Sequence, residues 1–111
     1  MERAGSDPGD GRGGTVERLE ATVVGRVQGV GFRWFVRDRA VALRLDGWVR
    51  NRLDGSVEVV AQGAHAALVA LETDLRRGPA GAFVEAVQVS WSTPAELAPD
   101  FRIRGSEHPG D

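Results

Sequence analysis

The 111-residue chain contains neither cysteine nor lysine. Without cysteine there can be no disulfide, no thiolate zinc site and no phosphocysteine chemistry. Without lysine there is no Schiff base and no P-loop lysine, and all fourteen basic residues are arginine. Biased composition accounts for most of these arginines. Planar, bidentate recognition of a phosphate or carboxylate is reserved for one or two of them. Long apolar runs are also missing, and the start lacks the basic-then-apolar pattern of a signal peptide, so a soluble, cytoplasmic protein with no membrane role is expected. A formal net charge of -2 exerts no general pull on nucleic acid. The length suits one domain with an adequate core.

Residues 1–14 are rich in glycine and charge, with almost nothing to bury, and read as a disordered leader. Residues 105–111 form a short polar tail. Between them, 15–104 reads as a single domain of alternating periods. Leu19, Ala21, Val23, Gly25 and Val27 share one parity against Glu20, Thr22 and Arg26, which predicts a half-buried strand. From Phe32 to Leu43 the period becomes helical, with Phe32, Phe35, Val36, Ala40 and Leu43 on one face. Asp46-Gly47 is read as the turn into a second strand, Trp48 to Arg52. Asp54-Gly55 then signals a hairpin into a third strand, Ser56 to Gln62. A second helix follows over Ala64 to Arg77, with Leu68, Leu71 and Leu75 at helical spacing and Gly78-Pro79 as its stop. A fourth strand over Phe83 to Trp91 and a short fifth over Phe101 to Arg104 complete the chain. The order predicts an α+β, ferredoxin-like βαββαβ sandwich: an antiparallel sheet with two helices on one face and a short extra C-terminal strand.

The segment Gly25-Arg26-Val27-Gln28-Gly29-Val30-Gly31-Phe32-Arg33 joins the first strand to the first helix. Glycines there let successive N–H groups point into one concavity, set against a helix N-terminus that favours an anion. Arg33 can add a bidentate clamp to the same anion. A dinucleotide fingerprint is excluded by Trp34 standing where its third glycine belongs, and a Walker A loop by the absence of lysine. A structural turn remains open on the loop alone. Topology adds Asn51: in a split βαβ unit the first and second strands are parallel with the third between them. The loop and Asn51 then emerge at one sheet edge, about 10 Å apart at two strand spacings. His65 and His108 are read as solvated, Asp54 as a turn residue, and Trp34, Trp48 and Trp91 as packing residues, with Trp48 able to border a substrate near Asn51.

Gly-Arg-Val-Gln-Gly-Val-Gly-Phe-Arg at 25–33, Gly-Trp-Val-Arg-Asn at 47–51 and Asp-Gly-Ser-Val-Glu at 54–58 together resemble the acylphosphatase family, over roughly Glu17 to Arg104. The resemblance implies hydrolysis of acyl phosphates to a carboxylate and inorganic phosphate, with no metal or other cofactor. It implies Arg33 as the substrate-binding arginine and Asn51 as the water-positioning asparagine. The amides of Gln28, Gly29, Val30, Gly31 and Phe32, through to Arg33, would cradle the phosphate. A small-molecule acyl phosphate is thus the expected partner of a monomer. Arg52 follows Asn51 where smaller residues also occur in the family, which leaves the charge beside the attacking water open. Two rival functions share this fold. An RNA-binding module of the same strand order would need aromatic residues on the open face of the first and third strands, where none stands. A catalytically idle anion-binding regulatory domain of this fold is disfavoured by the presence of both Arg33 and Asn51. Similar domains also occur inside larger hydrogenase-maturation carbamoyltransferases; an independent domain is expected here.

Overall fold

The computed structural model describes residues 15–105. The expected leader, most of the expected tail and His108 lie outside the described residues. Strand β1 (Val16–Arg26) buries Leu19, Ala21 and Val23 and leaves Glu20 and Thr22 on its other face. It is followed by helix α1 (Phe32–Ala42), strands β2 (Asp46–Asn51) and β3 (Val57–Ala64), helix α2 (His65–Arg77), and strands β4 (Phe83–Ser92) and β5 (Phe101–Ile103). The sheet order is β4-β1-β3-β2-β5. Its four long strands pair antiparallel, and β5 adds to the β2 edge in parallel, so the five-stranded sheet is mixed. Both β1 and β2 pair antiparallel with β3, and are therefore parallel to each other, as the predicted topology requires.

The core lies between one sheet face and the two helices. Leu19, Val23, Val49, Val57 and Val59 from the sheet meet Phe32, Val36 and Ala40 of α1 and Leu68, Leu71 and Leu75 of α2, all fully buried. These residues are the predicted apolar parities and helical faces, brought together because each element is amphipathic and can bury its stripe only against another.

The α1–β2 connection differs from the expected turn at Asp46-Gly47. The chain reverses at Leu43–Leu45 instead. The Leu45 amide donates to Ala40 O (2.9 Å) and the Arg44 amide to Val41 O (3.0 Å), with Arg44 at φ 60°. This is a Schellman helix ending with arginine at the left-handed position that glycine ordinarily occupies. Its left-handed backbone costs an L-residue about 1–2 kcal/mol, partly offset by the greater chain entropy that glycine would lose on folding. Arg44→Gly is therefore expected to stabilise the fold by about 0.5–1 kcal/mol, read as a raised urea midpoint at unchanged slope.

Gly47 is not a turn residue but lies inside β2. A Cβ there would sit 1.9 Å from the Val60 carbonyl oxygen, so β2 and β3 can run this close only with glycine at 47.

The β2–β3 turn follows the predicted Asp54-Gly55 signal. Arg52 N donates to Ser56 O (2.9 Å), Gly55 N to Arg52 O (3.2 Å), and Gly55 takes φ 92°. Asp54 Oδ1 accepts from the Ser56 hydroxyl (2.6 Å) and amide (3.0 Å). The hydroxyl bond first, and then the amide bond, hold the Asp54 carboxyl below its ordinary 3.8. A carboxylate with a depressed folded pKa stabilises above its unfolded value and loses that contribution as pH falls through the folded one. The melting-temperature gap between the native chain and Asp54→Ala should thus hold steady from neutral pH to about pH 5 and shrink toward about pH 2.

Candidate active site

Val27 is fully buried and closes the β1 side of the loop, while the buried Phe32 opens α1 with its ring edge-on to Phe35 at 6.0 Å. Between these two anchors the chain needs a tight reversal. Gly29 (φ 76°) and Gly31 (φ 77°) supply it, and an added Cβ at either would meet nothing within 4 Å. Backbone conformation alone therefore demands glycine at these positions, and the space above the loop stays open.

The arrangement leaves donors free. Gly31 caps α1 with no side-chain hydrogen bond, the first helical turn carries no acidic residue, and the first helical bond is Phe35 N to Gly31 O (3.0 Å). None of the amides of residues 28–33 donates to an acceptor among the described residues. Six consecutive N–H groups at a helix N-terminus make a positive concavity suited to a tetrahedral oxyanion. Phe32 contributes only its amide to that concavity, because its side chain belongs to the core. Arg33 is half-buried and has no carboxylate partner among the described residues. Burial of Phe32 and Val36 turns the intervening Arg33 outward from the core, on the first turn of the helix.

Asn51 is the last residue of β2 and shares the parity of the buried Val49, so it faces the helix side of the sheet. Val23, Val57 and Asn51 form one row across β1, β3 and β2, so Asn51 lies two strand spacings, about 10 Å, from the β1 backbone that leads into the loop. The loop and Asn51 thus meet at one sheet edge. Asn51 Oδ1 is buried and has no hydrogen-bond donor among the described residues. An orphaned acceptor of this kind costs about 1–3 kcal/mol, so it marks a place where a donor from outside the protein belongs. One contact was not foreseen from the sequence: Gln28 Nε2 donates to Arg52 O (2.8 Å) and Ser56 O (2.9 Å), tying the loop to the β2–β3 turn.

The family model described as Acylphosphatase matches residues 19–103. The chain belongs to the acylphosphatase family. The acylphosphatase of Koribacter versatilis is 49% identical over 92 residues, covering 83% of this chain and 84% of that one. The acylphosphatase of Salinibacter ruber is 50% identical over 91 residues, covering 82% and 96%. Among solved structures, the crystal structure of acylphosphatase from Bacillus subtilis superposes with a TM-score of 0.77 at 38% identity, over 81% of this chain and 99% of that one. Full-length HypF in its phosphate- and nucleotide-bound form gives a TM-score of 0.79 at 29% identity, over 86% of this chain but 13% of that protein.

Other residues singled out from the sequence lie away from this edge. Arg52 and Arg50 project to the open face, where Glu58 Oε1 forms an ion pair with Arg52 Nη1 (3.3 Å) and accepts a hydrogen bond from Arg50 Nε (2.9 Å). The charge of Arg52 is therefore balanced on the side away from Asn51. Trp48 also lies on the open face, with the guanidinium groups of Arg104 and Arg50 at 4.7 and 5.3 Å from its ring, so it does not border the edge. Trp34 and Trp91 are largely exposed rather than packed in the core. His65 is engaged: its Nδ1 lies 2.7 Å from Glu17 Oε1, and its ring stacks on Trp91 at 5.2 Å. Neither signal was legible locally, since Glu17, His65 and Trp91 lie on three different elements. Among the described residues no group of three or more His, Asp or Glu could hold a metal, and no helix is long and apolar enough to cross a membrane.

Proposed function

We propose that the chain hydrolyses acyl phosphates to a carboxylate and inorganic phosphate, with the phosphoryl group held by the 28–33 amides and Arg33 and the water held by Asn51. The observation that carries the assignment is the placement near one sheet edge of six amides without acceptors, Arg33 without a carboxylate partner and a buried carboxamide oxygen without a donor, all among the described residues. An acyl phosphate already has a good leaving group, so the protein has mainly to position the reactants and stabilise charge.

The amide cradle and Arg33 bind the three phosphoryl oxygens and take up their charge in the transition state. Asn51 Oδ1 accepts an O–H of the water and aims its lone pair at phosphorus. The water oxygen forms the new P–O bond, the bond between phosphorus and the acyl oxygen breaks, and the carboxylate leaves with the bonding pair. The water's proton passes to a phosphoryl oxygen. The neighbouring carboxylates are engaged elsewhere, Asp54 by Ser56 and Glu58 by Arg50 and Arg52 on the opposite face. The proposed substrate is a free small molecule, and the proposed setting is a monomer in the cytoplasm.

The direct test is hydrolysis of benzoyl phosphate in excess chelator. Release of benzoate and phosphate in equal amounts at an undiminished rate is expected. No turnover by the native chain would return the domain to a catalytically idle anion binder, and loss of turnover on chelation would overturn metal independence.

A further inference from the structure

The two halves of the site sit where the sheet comes apart. β1 pairs with β3 no further than Val23↔Val57, and β2 with β3 no further than Asn51↔Val57, while β1 runs on against β4 alone to Arg26↔Phe83. Beyond that row no backbone hydrogen bond joins the loop to the β2–β3 turn among the described residues. The spacing between a phosphate in the cradle and a water on Asn51 is therefore not set by the ladder. In-line attack nevertheless depends on it, since a displacement of about 1 Å can cost on the order of 100-fold in rate.

The Gln28 side chain fills the gap. Nε2 carries two hydrogens, and it donates one to Arg52 O at 2.8 Å and the other to Ser56 O at 2.9 Å. Arg52 directly follows Asn51, and the Gln28 amide is itself the first of the cradle. One side chain thus fastens the first amide of the phosphate loop to the residue beside the water-holding asparagine. The turn does not need this contact to close, because Arg52 O already accepts from Gly55 N (3.2 Å) and Ser56 O from Arg52 N (2.9 Å). What Gln28 contributes is the relative position of loop and turn.

We propose that Gln28 is a positioning residue of the reaction: its carboxamide sets the distance between the phosphate cradle and Asn51. The proposal rests on the site reading above and deepens it. Gln28→Ala should lower kcat for benzoyl phosphate by about 10- to 100-fold. Its inhibition constant for inorganic phosphate should stay within about twofold, since the amides and Arg33 remain.

Gln28→Glu preserves the shape of the side chain but turns two donated hydrogens into a carboxylate facing two carbonyls. Its kcat should fall at least as far at neutral pH and recover on acidification relative to Gln28→Ala, because a protonated carboxyl again donates. In an Asn51→Ala background, Gln28→Ala should lower kcat by less than about twofold, because its effect acts through Asn51.

Unchanged kcat in both Gln28 variants would overturn the proposal. So would a parallel loss of phosphate affinity, or fully multiplicative effects with Asn51→Ala. Should the alanine variant unfold, the pH profile of the glutamate variant, set against that of the native chain, decides alone. Silence of Arg33→Ala and Asn51→Ala would remove the site reading itself, and this inference with it; silence of the Gln28 variants alone removes only the inference.

Discussion

Arg33→Ala is expected to lower kcat/KM for benzoyl phosphate by about 10³-fold or more, the range seen when a charged group serving a transferring phosphoryl is removed. That factor corresponds to about 4 kcal/mol of transition-state stabilisation. The loss should extend to ground-state binding: inorganic phosphate should no longer compete at millimolar concentration. Stability should hardly change, within about 0.5 kcal/mol, because Arg33 is half-buried and pairs with no carboxylate among the described residues. Arg33→Lys keeps the charge but loses the planar fork, so it should recover only part of the activity. Steady-state kinetics and urea unfolding on the same preparations separate these outcomes. An alanine variant with native kcat and native phosphate inhibition would remove the assignment.

The second large effect is at Asn51. Asn51→Ala should lower kcat by about 10²- to 10³-fold while KM stays close to native, since a group that holds the water contributes little to substrate binding. The variant should be as stable as the native chain or more so, because it removes a buried oxygen that has no donor among the described residues. Loss of activity with gain in stability is what a site residue does and a packing residue does not. Asn51→Asp keeps an acceptor of the same shape but adds negative charge facing the phosphate, so KM should rise as well. An Asn51→Ala enzyme with native kcat would show that the water is held elsewhere.

Much of the candidate site is legible in the sequence, for a local reason. Gly29 and Gly31 are needed for backbone conformation, and Arg33 follows the helix start, so all three belong to one short segment whose chemistry is written in order. Asn51 was readable one step further on, because the predicted strand order implied that β1 and β2 are parallel around β3. The side-chain role of Gln28 was not. Its acceptors are backbone carbonyls 24 and 28 residues away, and carbonyls leave no mark in a sequence.

The misplaced turn between α1 and β2 has a tertiary origin. Asp46-Gly47 has the composition of a turn, yet Gly47 is glycine because β2 passes too close to the Val60 carbonyl for any Cβ, a contact made only in the folded sheet. The actual reversal uses Arg44 at φ 60°, which no propensity would favour; the packing of Leu45 into the core overrides it. The alternative reading of Trp48, as a residue able to border a substrate near Asn51, meets a parity argument: it stands out of phase with Asn51 and lies on the opposite face.

By itself the sequence determined which residues alternate with period two, which recur at helical spacing, where glycine must break the chain, and that no lysine or thiol can take part. These are properties of neighbours along the chain. The tertiary structure alone decided that, among the described residues, the loop's six amides remain without acceptors and Asn51 Oδ1 is buried without a donor, that Glu58 pairs with Arg52 on the open face, and that Gln28 clasps the turn. Each of these depends on which groups are left unpaired, or become paired, once distant segments meet. Hydrogen-bond satisfaction is a sum over the whole fold, whereas periodicity is local.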